Sequence, residues 1–467
     1  MNNTLDEIWT MRMFGRRTDN EKNIPFDSKK ASLLKRMLHP IQYGSLRGSI
    51  FGLSSMCLEV GPLILALRCK QFGCINFLLT IILGGISAYW TLVMMIRAAR
   101  NMKERDYSKI VKASLGNGVG VFMDCNINLY LLGTLITFQV IIYQIIGAVT
   151  YDIWKINGHQ GYDKFESFKN EYWRKEAKIK FPVMIGVAVL IFLLFLFKDV
   201  SKMRIDSLIG VIALIYSIIV IVIESIFFFK YNDLDFGQMN WLDISNAFSL
   251  KDGVPFLGGL STVFYIYSCH TGAFPVYKTL RDNTTSRIKK VFRRSILLDI
   301  IVYFCMALAS YITSPLDPPE LILFRNDLEG FSPDYFIIIA KVGIIFNLLL
   351  SARANFAGLR ISLLKLIWKN SNITNAENVF IALIILLTAA LTGAFYDEIL
   401  VYIELLGGFC SVIFCFFIPG FIYVINNKYP AKSLINIITV FILMIFVIIG
   451  YSSGILAIVF KMIKING

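Results

Sequence analysis

Apolar runs of about twenty residues, separated by short polar stretches, fill this chain from residue 46 onward. A helix rises 1.5 Å per residue, so about 20 residues cross the roughly 30 Å hydrocarbon core of a bilayer. The pattern predicts an all-α polytopic membrane protein with eleven spans. They lie at about 46–67, 74–96, 120–149, 181–197, 205–229, 256–277, 295–314, 335–352, 379–395, 399–425 and 434–460. The third is long for one crossing and is expected to tilt or to run past the membrane. Residues 1–45 are polar and basic, with no apolar core of a signal peptide. They are expected as a cytosolic tail with at most a surface helix near Ser32–Leu38. Residues 461–467 are expected as a short C-terminal tail.

Two spans are interrupted where lipid would be deepest. In span 6, Ser268, Cys269, His270, Thr271 and Gly272 put polar and helix-breaking residues at mid-membrane. In span 1 the interruption is Glu59-Val60-Gly61-Pro62. Pro62 removes a backbone donor and clashes with the preceding turn, and Gly61 loosens the chain. Unpaired backbone is tolerated at that depth only inside protein or beside a water-filled cavity. Paired interruptions in corresponding places of two halves point to a transporter's substrate site. Each broken span is therefore expected as two half-helices, with Gly61 and Gly272 beside a shared cavity.

Composition agrees with the pattern. The chain has 467 residues, of which 56% are hydrophobic and 17% charged, against about a quarter charged in soluble domains. The net charge of +14 does not imply a nucleic-acid partner, because the basic residues sit in short loops between apolar runs. The loops after spans 2, 4, 6, 8 and 10 are rich in Lys and Arg. Those after spans 5, 7 and 9 carry mostly Asp and Glu. The exception is Thr150–Lys180, with seven basic and five acidic residues. The positive-inside rule then places the N-terminus in the cytosol, the C-terminus outside, and eleven crossings between. Two five-helix units in tandem would be related by inverted topology, since five is odd. Span 6 would take in the second half the place of span 1 in the first, and span 11 would be an addition.

No cofactor or metal is expected. The eight cysteines form no C-x-x-C pair. Cys69 and Cys74 flank a short loop, either as a disulfide or as small buried residues. No phosphate loop, nucleophile elbow or metal-binding helix motif occurs.

The residues around the breaks resemble the amino acid/auxin permease family of secondary transporters, within the amino acid–polyamine–organocation superfamily. Glu59-Val60-Gly61-Pro62-Leu63-Ile64-Leu65-Ala66, then Lys70-Gln71-Phe72-Gly73, is similar to the family's GTGILALP-like first span. Glu59 and Val60 replace the family's glycine and threonine, and Pro62 stands four residues before the usual proline position at Ala66. Ser87-Ala88-Tyr89, Tyr107-Ser108 through Gly116, and Asn347-Leu348-Leu349-Leu350-Ser351 also fit. The most specific match is Tyr265 to Leu280, with its cysteine-histidine break and Phe274-Pro275-Val276-Tyr277. The resemblance covers about residues 45–455. It implies a five-plus-five inverted repeat, as in the sodium-coupled leucine transporter fold, carrying amino acids by alternating access with protons or sodium. It is compatible with the plasma membrane or an acidic, vacuole- or lysosome-like membrane. The abundance of Ile, Asn, Lys and Phe resembles parasite proteins from AT-rich genomes.

In such folds free N–H groups at a half-helix start hold a substrate carboxylate, and exposed carbonyls face its ammonium. The candidate substrate residues are Leu58, Glu59, Val60, Gly61, Tyr265, Tyr267, Ser268, Cys269, His270, Thr271 and Gly272. An ionised carboxylate in a bilayer costs several kcal/mol unless paired. Glu59 is therefore a proton carrier, a partner of the substrate ammonium, or half of a structural ion pair. His270 is either a second titrating group or a hydrogen-bonding brace for the break. Tyr265 and Tyr267 either close over substrate or only pack. Asn347 and Ser351 are candidate oxygen ligands for sodium. Glu224, Asp299, Lys341 and Glu404 are further buried ionisable residues without a catalytic role, and Asp299 follows a basic loop within reach of a pairing with Arg293 or Arg294.

Alternatives to amino acid transport are a polyamine permease, a nutrient sensor on the same fold, and a membrane-bound acyltransferase with an intramembrane histidine. The acyltransferase reading lacks a partner such as Asp or Asn for His270 within its own span.

Overall fold

The computed structural model describes residues 44–158, 162, 165–173, 177–196, 203–231, 239–243, 255–327, 333–368, 375–426 and 434–466. The N-terminal tail before residue 44 lies outside them, as do the Ser32–Leu38 helix and the glycosylation sequons at Asn2 and Asn372. The described residues form helices joined by turns, with no strand among them.

Span 1 is α1 (Leu46–Cys57), a single 3-10 turn (Gly61–Ile64) and α2 (Leu65–Phe72). Then follow α3 (Cys74–Asn101), α4 (Tyr107–Leu115), α5 (Asn117–Ile156), α6 (Ala177–Leu196) and α7 (Met203–Tyr231). Span 6 is α8 (Pro255–Ile266) and α9 (His270–Thr279). The remainder is α10 (Thr285–Thr313), α11 (Tyr335–Trp368), α12 (Asn375–Phe395), α13 (Ile399–Leu405), a π-helical stretch (Leu406–Phe417), α14 (Ile418–Ile425) and α15 (Leu434–Asn466).

Nine helical segments among the described residues are long and apolar enough to cross a membrane. The two predicted spans outside that count are span 6, divided into halves of 12 and 10 residues, and span 9, apolar over Val379–Phe395. Several helices outrun their apolar runs. α10 starts ten residues before its predicted span, because Thr284 caps it by accepting from the Arg287 N–H at 3.3 Å and the basic residues that follow are good helix formers. α11 continues through Arg353 and Arg360, which were expected in a loop but are buried in the helix. The Arg360 guanidinium lies 4.8 Å from the centre of the Phe195 ring, where a flat cation is favoured. α15 runs to Asn466, so the expected C-terminal tail is helical over 461–466.

Turn chemistry sets the other boundaries. Gly73 (φ 77°) and Gly116 (φ 89°) take left-handed backbone between helices, where glycine carries no steric penalty. The first N–H groups of α3 would be orphaned. Those of Cys74 and Ile75 instead donate to the carbonyls of Asn240 and Trp241 at 2.9 and 3.0 Å. On α3, Leu79, Leu83, Ile86 and Trp90 are exposed and apolar along one face, as a lipid-facing helix requires.

α10 packs against α1, α2, α3 and α7, and α11 packs against α5 and α7. The 40-residue α5 is about 60 Å long at 1.5 Å per residue, so its end projects toward the segment after α10. There Lys341 pairs with Asp152 at 2.6 Å and Lys155 with Asp327 at 2.7 Å. Arg325 contacts Glu224 and lies 3.2 Å from Asp334. Glu404 pairs with Arg68, which also donates to Gln71 at 2.9 Å.

Asn283 is the sequon within the described residues. Its amide nitrogen donates to the Tyr277 carbonyl, and Arg100 donates to its backbone and side-chain oxygens at 2.7 and 3.1 Å. We predict no glycan there; a glycosidase-sensitive mass shift mapped to Asn283 would overturn both this packing and the expected orientation.

Candidate functional site

Both predicted breaks are present. α1 ends at Cys57, and Leu58, Glu59 and Val60 form an irregular turn before the 3-10 turn that Pro62 opens. The bonds bracketing it are Leu58 N–H to Ser54 at 2.9 Å and Leu63 N–H to Val60 at 3.0 Å. The N–H groups of Glu59 and Val60 make none of these bonds. α8 ends at Ile266, and Tyr267, Ser268 and Cys269 are held by tight local bonds of 2.9 to 3.4 Å. α9 then starts at His270 without a side-chain cap. In its first turn the Gly272 N–H donates to the Cys269 carbonyl at 3.0 Å and the His270 N–H faces Cys415, which leaves the Thr271 N–H at the positive end of the helix as a seat for an anion.

One side chain that sequence reading passed over ties the breaks together. The Tyr303 hydroxyl, on α10, lies 2.6 Å from the Cys57 carbonyl and 2.9 Å from the Ile266 carbonyl. These are the last residues of α1 and α8, so one phenolic proton is shared by both half-helix ends. The carbonyls it engages lie just before the stretches expected to face a substrate, Leu58–Gly61 and Ser268–Gly272. Cys57 and Cys269, one from each break, also face each other.

The expected open space beside the two glycines is filled. A Cβ at Gly61 would stand 2.9 Å from Tyr303 Cε1, and one at Gly272 would stand 1.9 Å from Met56 Sδ. The accessible surface lies elsewhere. Glu59, Thr271, Ser351 and Asn355 keep partial exposure, while Leu58, Val60, Gly61, Tyr265, Tyr267, Ser268, Cys269, His270 and Gly272 are buried. Glu59 faces Asn355 of α11. Its carboxyl also lies within electrostatic reach of Tyr130 and Tyr265. Tyr130 hydrogen-bonds Ser268 through its hydroxyl, and its ring centre lies 6.2 Å from that of Tyr265.

The remaining candidates fall into separate places. Tyr267 is fully buried, and its hydroxyl donates to the Ile81 carbonyl at 3.0 Å; it packs where Tyr265 faces Glu59. His270 is fully buried, with Nε2 2.9 Å from Thr91 Oγ1 and its ring 5.9 Å from Phe416. Since Thr91 also bonds carbonyls of its own helix, its oxygen is free to accept the ring N–H, and His270 ties α9 to α3. Asn347 fills the space left by the missing side chain of Gly210 on α7. Asn347, Ser351 and Asn355 follow one another at four-residue spacing on α11, hence on one face. Asp299 is not paired with Arg293 or Arg294, which are exposed, whereas Asp299 is fully buried. Cys69 and Cys74 are neighbours but both are free thiols.

The Tyr303 bridge carries a prediction. Tyr303→Phe removes the proton that the hydroxyl offers to two carbonyls, and an unsatisfied buried group costs about 1–3 kcal/mol. We expect a lower unfolding temperature and faster maleimide labelling of Cys57 and Cys269, mapped by mass spectrometry. Unchanged labelling would show that the bridge does not hold the breaks.

Comparison with known sequences agrees with this architecture. The pattern of the family described as transmembrane amino acid transporter protein matches residues 44–463. The sodium-coupled neutral amino acid transporter 7 of Xenopus laevis is 24% identical over 265 residues, 56% of this chain and 52% of that protein. Its Mus musculus counterpart is 21% identical over 269 residues, covering 56% and 51%. The Arabidopsis thaliana amino acid transporter AVT6A is 21% identical over 340 residues, covering 72% and 70%. The match spans about half the length of the first two relatives. With the family pattern running from α1 into α15 across both breaks, the chain belongs to the transmembrane amino acid transporter family.

Proposed function

We propose that this protein is a secondary active transporter that moves an amino acid across a membrane by alternating access. The observation that carries the reading is the partly exposed Glu59 at the break of span 1, facing Asn355, with the uncapped first turn of α9 in the paired break. The substrate carboxylate would take the Thr271 N–H, with those of His270 and Gly272 joining once they leave Cys415 and the Cys269 carbonyl, and its ammonium would turn toward Glu59 and the turn from Leu58 to Gly61. Tyr265, beside Tyr130, would close over it. Spans 1–5 and 6–10 would form the inverted repeat, with the N-terminus cytosolic.

The coupling ion in this reading is a proton carried by Glu59. A carboxylate among apolar walls is tolerated when it takes a proton or meets a cation, and exchange between the two serves transport. The names of the animal relatives favour a second reading, sodium coupling, with oxygens from Asn347, Ser351 and the backbone of span 1. The test is purified protein in liposomes, a panel of labelled amino acids, and imposed proton or sodium gradients. Uptake driven by an inward proton gradient supports the first reading, and uptake that needs sodium and ignores pH supports the second. Uptake of a polyamine instead would replace the substrate class. Binding without uptake of any member would assign a sensor.

A further inference from the structure

A second carboxyl lies beside the same break, and neither the family match nor the transport reading assigns it a role. Asp299 is the central residue of α10 and is fully buried, and neither oxygen of its carboxyl has a hydrogen-bond partner. Most buried polar groups are satisfied, so each exception calls for an explanation.

Its surroundings are specific. Ser295, Asp299 and Tyr303 stand four residues apart, on one face of α10, and that face meets α1. The Ser295 hydroxyl is 2.8 Å from the Ser54 hydroxyl, and Tyr303 holds the Cys57 carbonyl. Between them, Asp299 is faced by Ser54 and Cys57. Tyr267 and Tyr303 lie within its electrostatic reach, and Cys269 touches Cys57.

Among the described residues no cationic group compensates it. On α2, Arg68 is paired with Glu404, and the Cys69 thiol donates to Ala307 at 3.7 Å. On α7, Glu224 is engaged by Arg325, and the Tyr216 hydroxyl donates to Phe336 at 3.3 Å. α3 offers the Ile81 carbonyl to Tyr267 and the small Gly85 near its hydroxyl.

We propose that Asp299 is a proton-binding site of this protein, separate from Glu59 and coupled to the break in span 1. A lone charged carboxylate costs several kcal/mol inside a bilayer. A hard metal cation would need several oxygen ligands; here the neighbours are the Cys57 thiol, which also faces Cys269, and the Ser54 hydroxyl, which is bonded to Ser295. Asp299 also stands beside Cys57, the last residue of α1, where the helix end carries partial negative charge. With its proton, the carboxyl is compatible with the packed break. Release of the proton places two like charges together, so that end of α1 must move away or admit water. Proton loss at Asp299 is thereby tied to opening of the break. The place of this step in a transport cycle rests on the transport reading; the proton itself does not.

The test uses the full-length protein in lipid, labelled with carboxyl-13C aspartate. At neutral pH we expect an infrared C=O band of a protonated carboxyl that shifts with the label, survives Glu59→Gln and is lost in Asp299→Asn. Absence of a label-sensitive band in the native protein, or its persistence in Asp299→Asn, would overturn the proposal without reliance on the variant's folding or on any transport. In liposomes, Asp299→Asn should slow substrate-driven proton entry, because Glu59 still carries the coupled proton but proton loss at Asp299 no longer opens the break; entry at the native rate would also overturn the proposal. A native protein that moves no amino acid would remove the transport reading, and the infrared band would still decide Asp299.

Discussion

Replacing Glu59 by glutamine is expected to abolish accumulation of substrate against a gradient while leaving exchange of substrate intact. Glutamine keeps the shape and the hydrogen bonding toward Asn355, which faces Glu59, but cannot carry a proton. A carrier moving one proton per substrate gains about 1.4 kcal/mol from each unit of pH difference, which corresponds to about tenfold accumulation. The native protein should approach that ratio when the outside is acidic, and Glu59→Gln should fall to a ratio of about one under the same gradient. Counterflow, in which labelled substrate enters as unlabelled substrate leaves, needs only the rocking of the loaded carrier and should persist. Concentration of substrate by Glu59→Gln as well as by the native protein would sink the proton assignment. Native uptake that depends on sodium alone would do the same, and would move attention to Asn347 and Ser351.

The second large effect is on stability. Arg325→Met should destabilise the fold by about 3–5 kcal/mol, the range for breaking a buried ion pair on one side. The side chain of Arg325 is 1% exposed, and those of Glu224 and Asp334 are 4% and 2% exposed. Its removal leaves two carboxylates facing each other without a cation, where α7 meets the segment between α10 and α11. The companion variant, with Arg325→Met, Glu224→Gln and Asp334→Asn together, should recover most of the loss, because the charges leave with their desolvation cost. Unfolding temperatures in one detergent would measure both. Equal stability of native and Arg325→Met would contradict the arrangement.

The membrane-spanning class and both broken helices were legible because they depend on local chemistry. Apolar length sets a crossing, and Glu59-Val60-Gly61-Pro62 and Ser268–Gly272 each interrupt a helix whatever surrounds it. What escaped depends on contacts between distant segments. Tyr303 lies within an ordinary apolar run, and nothing in its neighbours announces two carbonyls 246 and 37 residues away. Asn355 was hidden by the boundary rule itself. Arg353 read as the start of a loop, yet its helix continues for another fifteen residues, to Trp368. The glycines misled in the opposite direction. Loose backbone suggested open space beside Gly61 and Gly272, but missing side chains also allow close approach, and Tyr303 and Met56 have taken the room. His270 offered two readings, and its bond to Thr91 supports the brace.

The most direct test of the paired breaks as the substrate site is a structure of the protein with its transported amino acid bound. We predict ligand density with its carboxylate at the first turn of α9, against the Thr271 N–H and with the His270 and Gly272 N–H groups released from Cys415 and the Cys269 carbonyl. Its ammonium should point toward Glu59, with Tyr265 closed over it. Density in another part of the bundle, with Leu58–Gly61 and Ser268–Gly272 still packed as they are here, would contradict the account.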